Sequence, residues 1–251
     1  MNKLKTLSVA VLLGVGMVGS AMAADALSGL KAQSQNGLTI SGDVHGASAY
    51  QYRGKQFSDG EPSIGASLTA THSSGLYGNI KTDTVKLSQG SDRHQLQSAL
   101  TVGYDYLLPY DVKVGGGLTR NFFSGRDQVS DLSFSEAFVG ADWNGVHAKV
   151  STVVESSKVL TPGFEQGDTY GELGYTYHIG QFNLGGDVGY SWYNNKHLGA
   201  KNGLSLAQVR VGYAFNDQVD VTLTHQFAGD DAYGIKSTGT HKTFVKLGYK
   251  F

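Results

Sequence analysis

Cysteine is absent from this chain of 251 residues, which excludes a disulfide framework, a thiolate metal site and a thiol nucleophile. Proline is nearly absent, with three residues beside 35 glycines, and that balance excludes a collagen-like or proline-rich linker architecture. An excess of one charge is missing as well. Lys and Arg number 20 against 21 Asp and Glu, interspersed with no run of like charge, so nothing offers an electrostatic footprint for nucleic acid. Long hydrophobic runs are also lacking. The one apolar stretch, residues 7–18, is too short for a transmembrane helix, which needs roughly 20 apolar residues. Nothing after residue 24 offers another, so any membrane role falls to strands.

What is present begins with that stretch. A basic start, Met1-Asn2-Lys3-Leu4-Lys5, precedes it, and the small-residue exit Ala21-Met22-Ala23 follows, as in a secretory signal peptide cleaved before Ala24. Residues 1–23 are therefore expected to be a signal peptide that directs export through the periplasm. Residues 24–36 are expected to form a short periplasmic segment, and residues 37–251 to form a single domain. The segment from Asp25 to Gly37 is polar overall, with Leu27 and Leu30 within it, and fits a loose lead, a short helix or a partial plug equally well.

The domain alternates with period two. In the first segment Leu38, Ile40, Gly42, Val44, Tyr50 and Tyr52 share one parity, and Thr39, Ser41, Asp43, His45, Gln51 and Arg53 share the other. Successive strand side chains face opposite ways, so one face is apolar and the other polar. The pattern recurs and predicts strands near 37–53, 62–71, 76–87, 94–106, 111–123, 132–143, 146–156, 169–179, 182–193, 204–215, 218–228 and 239–251. Connections between them alternate short and long, which is the signature of short periplasmic turns and longer external loops in an up-and-down barrel. The expected fold is all-β: a single antiparallel up-and-down transmembrane barrel of about 12 strands, with 10 or 14 as the alternatives.

Tyr50, Tyr52, Tyr104, Tyr175, Tyr177, Tyr190, Trp192, Tyr213 and Tyr249 fall towards strand ends, where such rings favour a membrane interface. A soluble barrel with the faces inverted has the same parity, but the strand length and the tail favour the membrane. The tail itself alternates through Thr243, Val245, Leu247, Tyr249 and Phe251. Its last three members are expected to form the signal that barrel assembly machinery reads, with outer-membrane lipid as the surrounding partner.

Tyr50-Gln51-Tyr52-Arg53-Gly54, the tip Asp59-Gly60, and Ser74-Gly75-Leu76-Tyr77-Gly78 resemble the opening of the TorF family of proteobacterial porins. Tyr104-Asp105-Tyr106, Glu136 in an aromatic strand, and Tyr170-Gly171-Glu172-Leu173 continue the resemblance over most of the domain. The chain departs from the family at Asn79-Ile80-Lys81, where a Trp is usual. The resemblance implies a barrel with a channel role and brings no catalytic residues with it.

Parity assigns the interior Asp43, His45, Arg53, Lys81, Asp83, Lys113, His147, Lys149, Glu155, Glu172, Asp187, Arg210, Asp220, Lys242 and Lys246. Glu136 shares its parity with Phe134 and Phe138, and is placed inward because a carboxylate facing lipid is costly. The expected pore lining is Asp43, His45, Arg53, Lys81, Asp83, Glu136, Lys149, Glu172, Asp187, Arg210 and Lys246. The bland alternative is that opposed charges pair across a narrow lumen and plug it. The expected solutes are small, hydrophilic molecules or ions, and no cofactor is expected. For a barrel enzyme of the lipase or protease type, the chain lacks G-x-S-x-G and H-E-x-x-H. Asp43 and His45 could form a His–carboxylate pair, yet satisfied interior groups explain them as well, so no catalytic residue and no metal ligand are assigned. Asp59-Gly60 and Gly229-Asp230-Asp231 could recruit calcium, or could simply be turn chemistry. An adhesive or anchoring barrel is the remaining alternative.

Overall fold

The computed structural model describes residues 34–86, 95–124, 132–157, 164–194, 201–227 and 241–251. The signal-peptide expectation, most of residues 24–36, and Asp230-Asp231 lie outside the described residues. The strands in chain order are β1 (Ser34–Gln35), β2 (Leu38–Ala47), β3 (Gln51–Tyr52), β4 (Lys55–Gln56), β5 (Ser63–His72), β6 (Leu76–Val85), β7 (Gln95–Leu107), β8 (Lys113–Ser124), β9 (Phe134–Trp143), β10 (Val146–Ser156), β11 (Thr169–Ile179), β12 (Phe182–Trp192), β13 (Gly203–Ala214), β14 (Val219–Phe227) and β15 (His241–Lys250). From β5 to β15 each strand pairs antiparallel with the next, and β2 pairs with both β5 and β15, so twelve strands close on themselves.

Closure is what the sequence pattern requires. One parity of every barrel strand carries exposed apolar side chains, from Ile64 at 69 % and Val139 at 64 % to Leu118, Leu173, Val209 and Leu247. A continuous apolar outer surface of this kind needs lipid, and inside lipid no strand edge can be left unpaired. Tyr104, Tyr106, Trp143, Tyr175, Tyr177 and Phe182 mark the rim bearing the short turns, while Tyr190, Trp192 and Phe227 mark the rim bearing the loops. Two aromatic girdles flanking an apolar band are the outer surface of a transmembrane barrel.

The seam is made by the chain's end. Lys250 stands opposite Asp43, and beyond it Phe251 and Gly42 exchange backbone hydrogen bonds of 3.0 Å in both directions. The Phe251 ring lies over the outer face at Gly42, where an added Cβ would come within 2.6 Å of it. Past this point the edge of β2 is taken up by β1, through an Asn36-Gly37 turn with both φ angles positive. Leu247 and Tyr249 project outward on the same strand, Leu247 in register with Val221 and Tyr249 with Val44.

Two expectations need correction. The first predicted strand, 37–53, ends at Ala47, and residues 48–62 turn into the barrel carrying the hairpin β3–β4. Tyr50 and Tyr52 therefore do not face a membrane interface; they pack against Phe57 in the interior. Second, Glu155 does not face inward. Val153, in register with Glu136, keeps the inward parity of β10 and is buried, but a register shift between Val153 and Glu155 advances the parity by one, so Glu155 meets Arg120 outside at 2.8 Å.

The seam makes a testable expectation. A Gly42→Leu side chain would meet both the Phe251 ring and the Ser67 carbonyl, so it should slow or prevent closure. Refolding into detergent followed by heat-modifiable gel mobility should show mostly the unfolded band. A folded fraction equal to wild type would contradict this view of the seam.

Candidate functional site

Register carries one polar face unbroken around the barrel. Asp43 stands opposite Ser67, Ser67 opposite Lys81, Glu136 opposite Thr119, Lys149 opposite Glu172, Asp187 opposite Gln208, and Thr222 opposite Lys246. Paired residues share a face, and the other face carries the exposed apolar band, so all of these side chains point inward. Phe134 and Phe138 point inward with Glu136, because all three share one parity of β9. Interior burial is uneven. On the loop side Val85, Gln97, Phe123, Phe134, Ser205 and Gln226 are all buried, whereas Lys81, Thr101, Thr119, Lys149, Glu172, Arg210 and Lys246 nearer the turns keep contact with water.

The β3–β4 hairpin causes that difference. Its tip is Arg53-Gly54, with φ of 50° and 84°, a two-residue turn whose left-handed backbone suits Gly. Gly54 also passes so close to β13 that an added Cβ would collide with the Ser205 carbonyl, and its own carbonyl accepts from Gln226 Nε2 at 2.7 Å. Arg53 reaches the far wall. Its Nη2 lies 2.7 and 2.9 Å from the two Glu136 carboxylate oxygens and donates to Ser151 Oγ at 2.8 Å. The guanidinium also stacks over the rings of Tyr170 and Tyr52, at 4.6 and 5.0 Å. Both members of the ion pair are largely buried, 13 % and 6 % exposed at the side chain.

Beneath the hairpin is an apolar core. Phe57, Val85, Phe123, Phe134, Val153 and Phe164 are buried together, with Tyr50, Tyr52 and Leu132 packed against them. Phe164, from the segment between β10 and β11, lies 4.8 Å from Phe134 between ring centroids. Burial here has electrostatic consequences. It pushes the Lys55 ammonium down to about 6. It also lifts the Tyr50 hydroxyl well above its usual range, and the nearby Asp83 charge adds to that effect. The sequence signal for this core was faint: Phe123 and Phe134 lie on the polar parity of their strands, where an aromatic is out of place in a purely wet lumen.

Two charge clusters flank the hairpin. In the first, His45 contacts Asp43 through Nδ1 at 2.8 Å and Asp83 through Nε2 at 3.0 Å, Ser67 donates to Asp43, and Lys81 reaches Asp83 at 3.0 Å. Both ring nitrogens are engaged by carboxylates, so neither is directed at a nucleophile. In the second, Asp187 is gripped by Arg210 at 2.5 Å and by Gln208 at 2.7 Å, with His147 and Glu172 alongside. Lys149 lies over the Phe138 ring at 4.3 Å, and Lys246 stands in register between Ala47 and Thr222. The sequence-derived set is thus divided into a latch (Arg53, Glu136), two clusters and two lysines beside them, Lys149 in register with Glu172 and Lys246 on the strand next to Asp43. Asp59-Gly60 forms a turn closed by a hydrogen bond from the Glu61 amide to the Ser58 carbonyl.

No protein-family model matches the chain, and no curated protein matches it. Solved structures do match its fold. The NanC porin is 12 % identical with a TM-score of 0.53, the match covering 84 % of this chain and 98 % of that one. An outer membrane channel from Pseudomonas putida F1 is 12 % identical with a TM-score of 0.51, covering 87 % of this chain and 96 % of that one. Outer membrane phospholipase A from Escherichia coli is 14 % identical with a TM-score of 0.49, covering 84 % of this chain and 92 % of that one. At such identities the likeness is one of fold: a closed antiparallel barrel of the outer-membrane type.

Proposed function

We propose that this chain is an outer-membrane channel of a Gram-negative cell, allowing passive diffusion of small hydrophilic solutes or ions. The observation that carries this reading is the turn-side half of the interior. There a closed barrel keeps charged side chains of both signs wet: Lys81 is 42 % exposed at the side chain and Glu172 is 31 %. Mixed signs on a wet wall favour weak ion selectivity. The lining we propose is Asp43, His45, Lys81, Asp83, Lys149, Glu172, Asp187, Arg210 and Lys246. Arg53 and Glu136 form the constriction, because their ion pair holds the hairpin across the loop-side mouth. The fold and the quoted motifs support a place near the TorF porins. Leu247, Tyr249 and Phe251 serve as the assembly signal, since the last of them makes the closing contacts of the seam.

His45 supports this reading over a barrel enzyme. A general base needs a nitrogen facing its nucleophile, and the two His45 nitrogens both face carboxylates. The competing account is a plug, because loop-side burial is extensive.

Single-channel recording of the refolded protein in planar bilayers separates the two. A channel should give discrete steps whose size scales with salt concentration. Removing one partner of a buried ion pair costs about 3–5 kcal/mol, so Arg53→Ala should release the hairpin and give larger steps. Its hairpin should also become sensitive to added protease. A folded wild type and a folded Arg53→Ala that are both silent would establish the plug.

A further inference from the structure

His147, Glu172 and Asp187 come from β10, β11 and β12, three neighbouring strands, and no spacing in the sequence links them. Register brings them together through one small residue. Gly174 stands opposite His147 on one side and Asp187 on the other. A Cβ there would fall 2.4 Å from His147 Nε2 and 2.2 Å from Asp187 Oδ1, so glycine leaves a gap into which both donor atoms reach. Nε2 and Oδ1 are 3.1 Å apart, and Glu172 Oε1 lies 3.8 Å from the same nitrogen. All three atoms lie within 4.8 Å of one another.

The orphan in this group is Asp187. The residue is 4 % exposed, and its Oδ2 is held by Gln208 and Arg210, yet Oδ1 has no hydrogen-bond partner. It faces the imidazole at 3.1 Å without hydrogen-bond geometry. A buried carboxylate oxygen left in that state is costly unless something positive comes between the two atoms. The neighbouring contacts have the form of a ligand-orienting shell. Tyr170 donates its hydroxyl to Glu172 Oε2 at 2.8 Å, which turns Oε1 towards the gap, while Gln208 and Arg210 fix Asp187 from behind. The His45 cluster is a useful contrast, since its ring nitrogens meet their carboxylates as hydrogen bonds and Ser67 satisfies Asp43.

We propose that His147 Nε2, Glu172 Oε1 and Asp187 Oδ1 form a three-donor site for a divalent transition-metal cation of the Zn2+ class on the inner wall of the barrel. Tetrahedral zinc at 2.0–2.2 Å from its ligands sets them roughly 3.3 Å apart, so the donors close on the ion with small side-chain movements. One imidazole with two carboxylates suits zinc better than calcium or magnesium, which favour oxygen alone. His147 and Glu172 are 30 % and 31 % exposed at the side chain, so the ion reaches the site from the lumen and its fourth position faces water. Arg210 does not block it, because the guanidinium occupies the opposite oxygen of Asp187.

The test is independent of conductance. The full refolded barrel in detergent is stripped with a chelator and titrated with Zn2+ by equilibrium dialysis and calorimetry, with folding checked by heat-modifiable mobility. One saturable equivalent is expected in wild type and in His45→Ala. Losing a ligand should cost at least the loss of about tenfold or more that follows removal of an outer contact, so His147→Ala and Glu172→Gln should each bind that much more weakly. No saturable uptake by folded wild type, or uptake undiminished in both variants, overturns the site. Either result leaves the channel reading to be decided by conductance alone.

Discussion

In the hydrocarbon of a bilayer there is no water to accept or donate, so every backbone amide and carbonyl must find its partner within the protein. This constraint governs the whole molecule. A twelve-stranded sheet with an apolar face is soluble in lipid only when its first and last strands meet, and here they meet through five register pairs between β15 and β2 and the reciprocal bonds of Phe251 with Gly42. The remainder of the β2 edge is taken by β1. The end of the chain, a single glycine and a two-residue strand together cover the edge of β2.

Closure creates a second problem, which is what fills the inside. Small barrels fill with side chains, and large ones leave a channel. With twelve strands this protein is filled with side chains on the loop side and keeps a wet polar wall nearer the turns. On the loop side the segment between β2 and β5 folds inward and builds an aromatic core around Phe57, Phe134 and Phe164. Nearer the turns the wall remains charged and wet. The boundary is the Arg53–Glu136 pair, reinforced by Ser151 and by the faces of Tyr52 and Tyr170. A guanidinium suits that position because its planar fork can serve carboxylate, hydroxyl and aromatic partners at once.

Interior charges satisfy one another in two ways. Around His45 they form a closed set in which imidazole, carboxylates, hydroxyl and ammonium all have partners. Around Asp187 the set is one atom short, and the missing contact points into the space that Gly174 leaves. The second cluster is therefore where the proposed cation site lies.

The sequence by itself determined the fold class and most of the elements, because period-two alternation is a local property that each strand displays alone. Eleven of the twelve barrel strands lie where alternation and turn residues put them, and the inward direction of Lys81, Lys149, Glu172, Asp187 and Arg210 follows from parity. Two local breaks in that periodicity were invisible. The strand β2 stops at Ala47 although parity runs on to Arg53, because the hairpin gains an aromatic core and an ion pair with strands far along the chain. The bulge at Val153 reverses Glu155, and no residue there announces it. Only the tertiary structure decided which charges meet: His147, Glu172 and Asp187 adjoin because register aligns three strands on Gly174, and register is set by the closed sheet, not by any one segment of it.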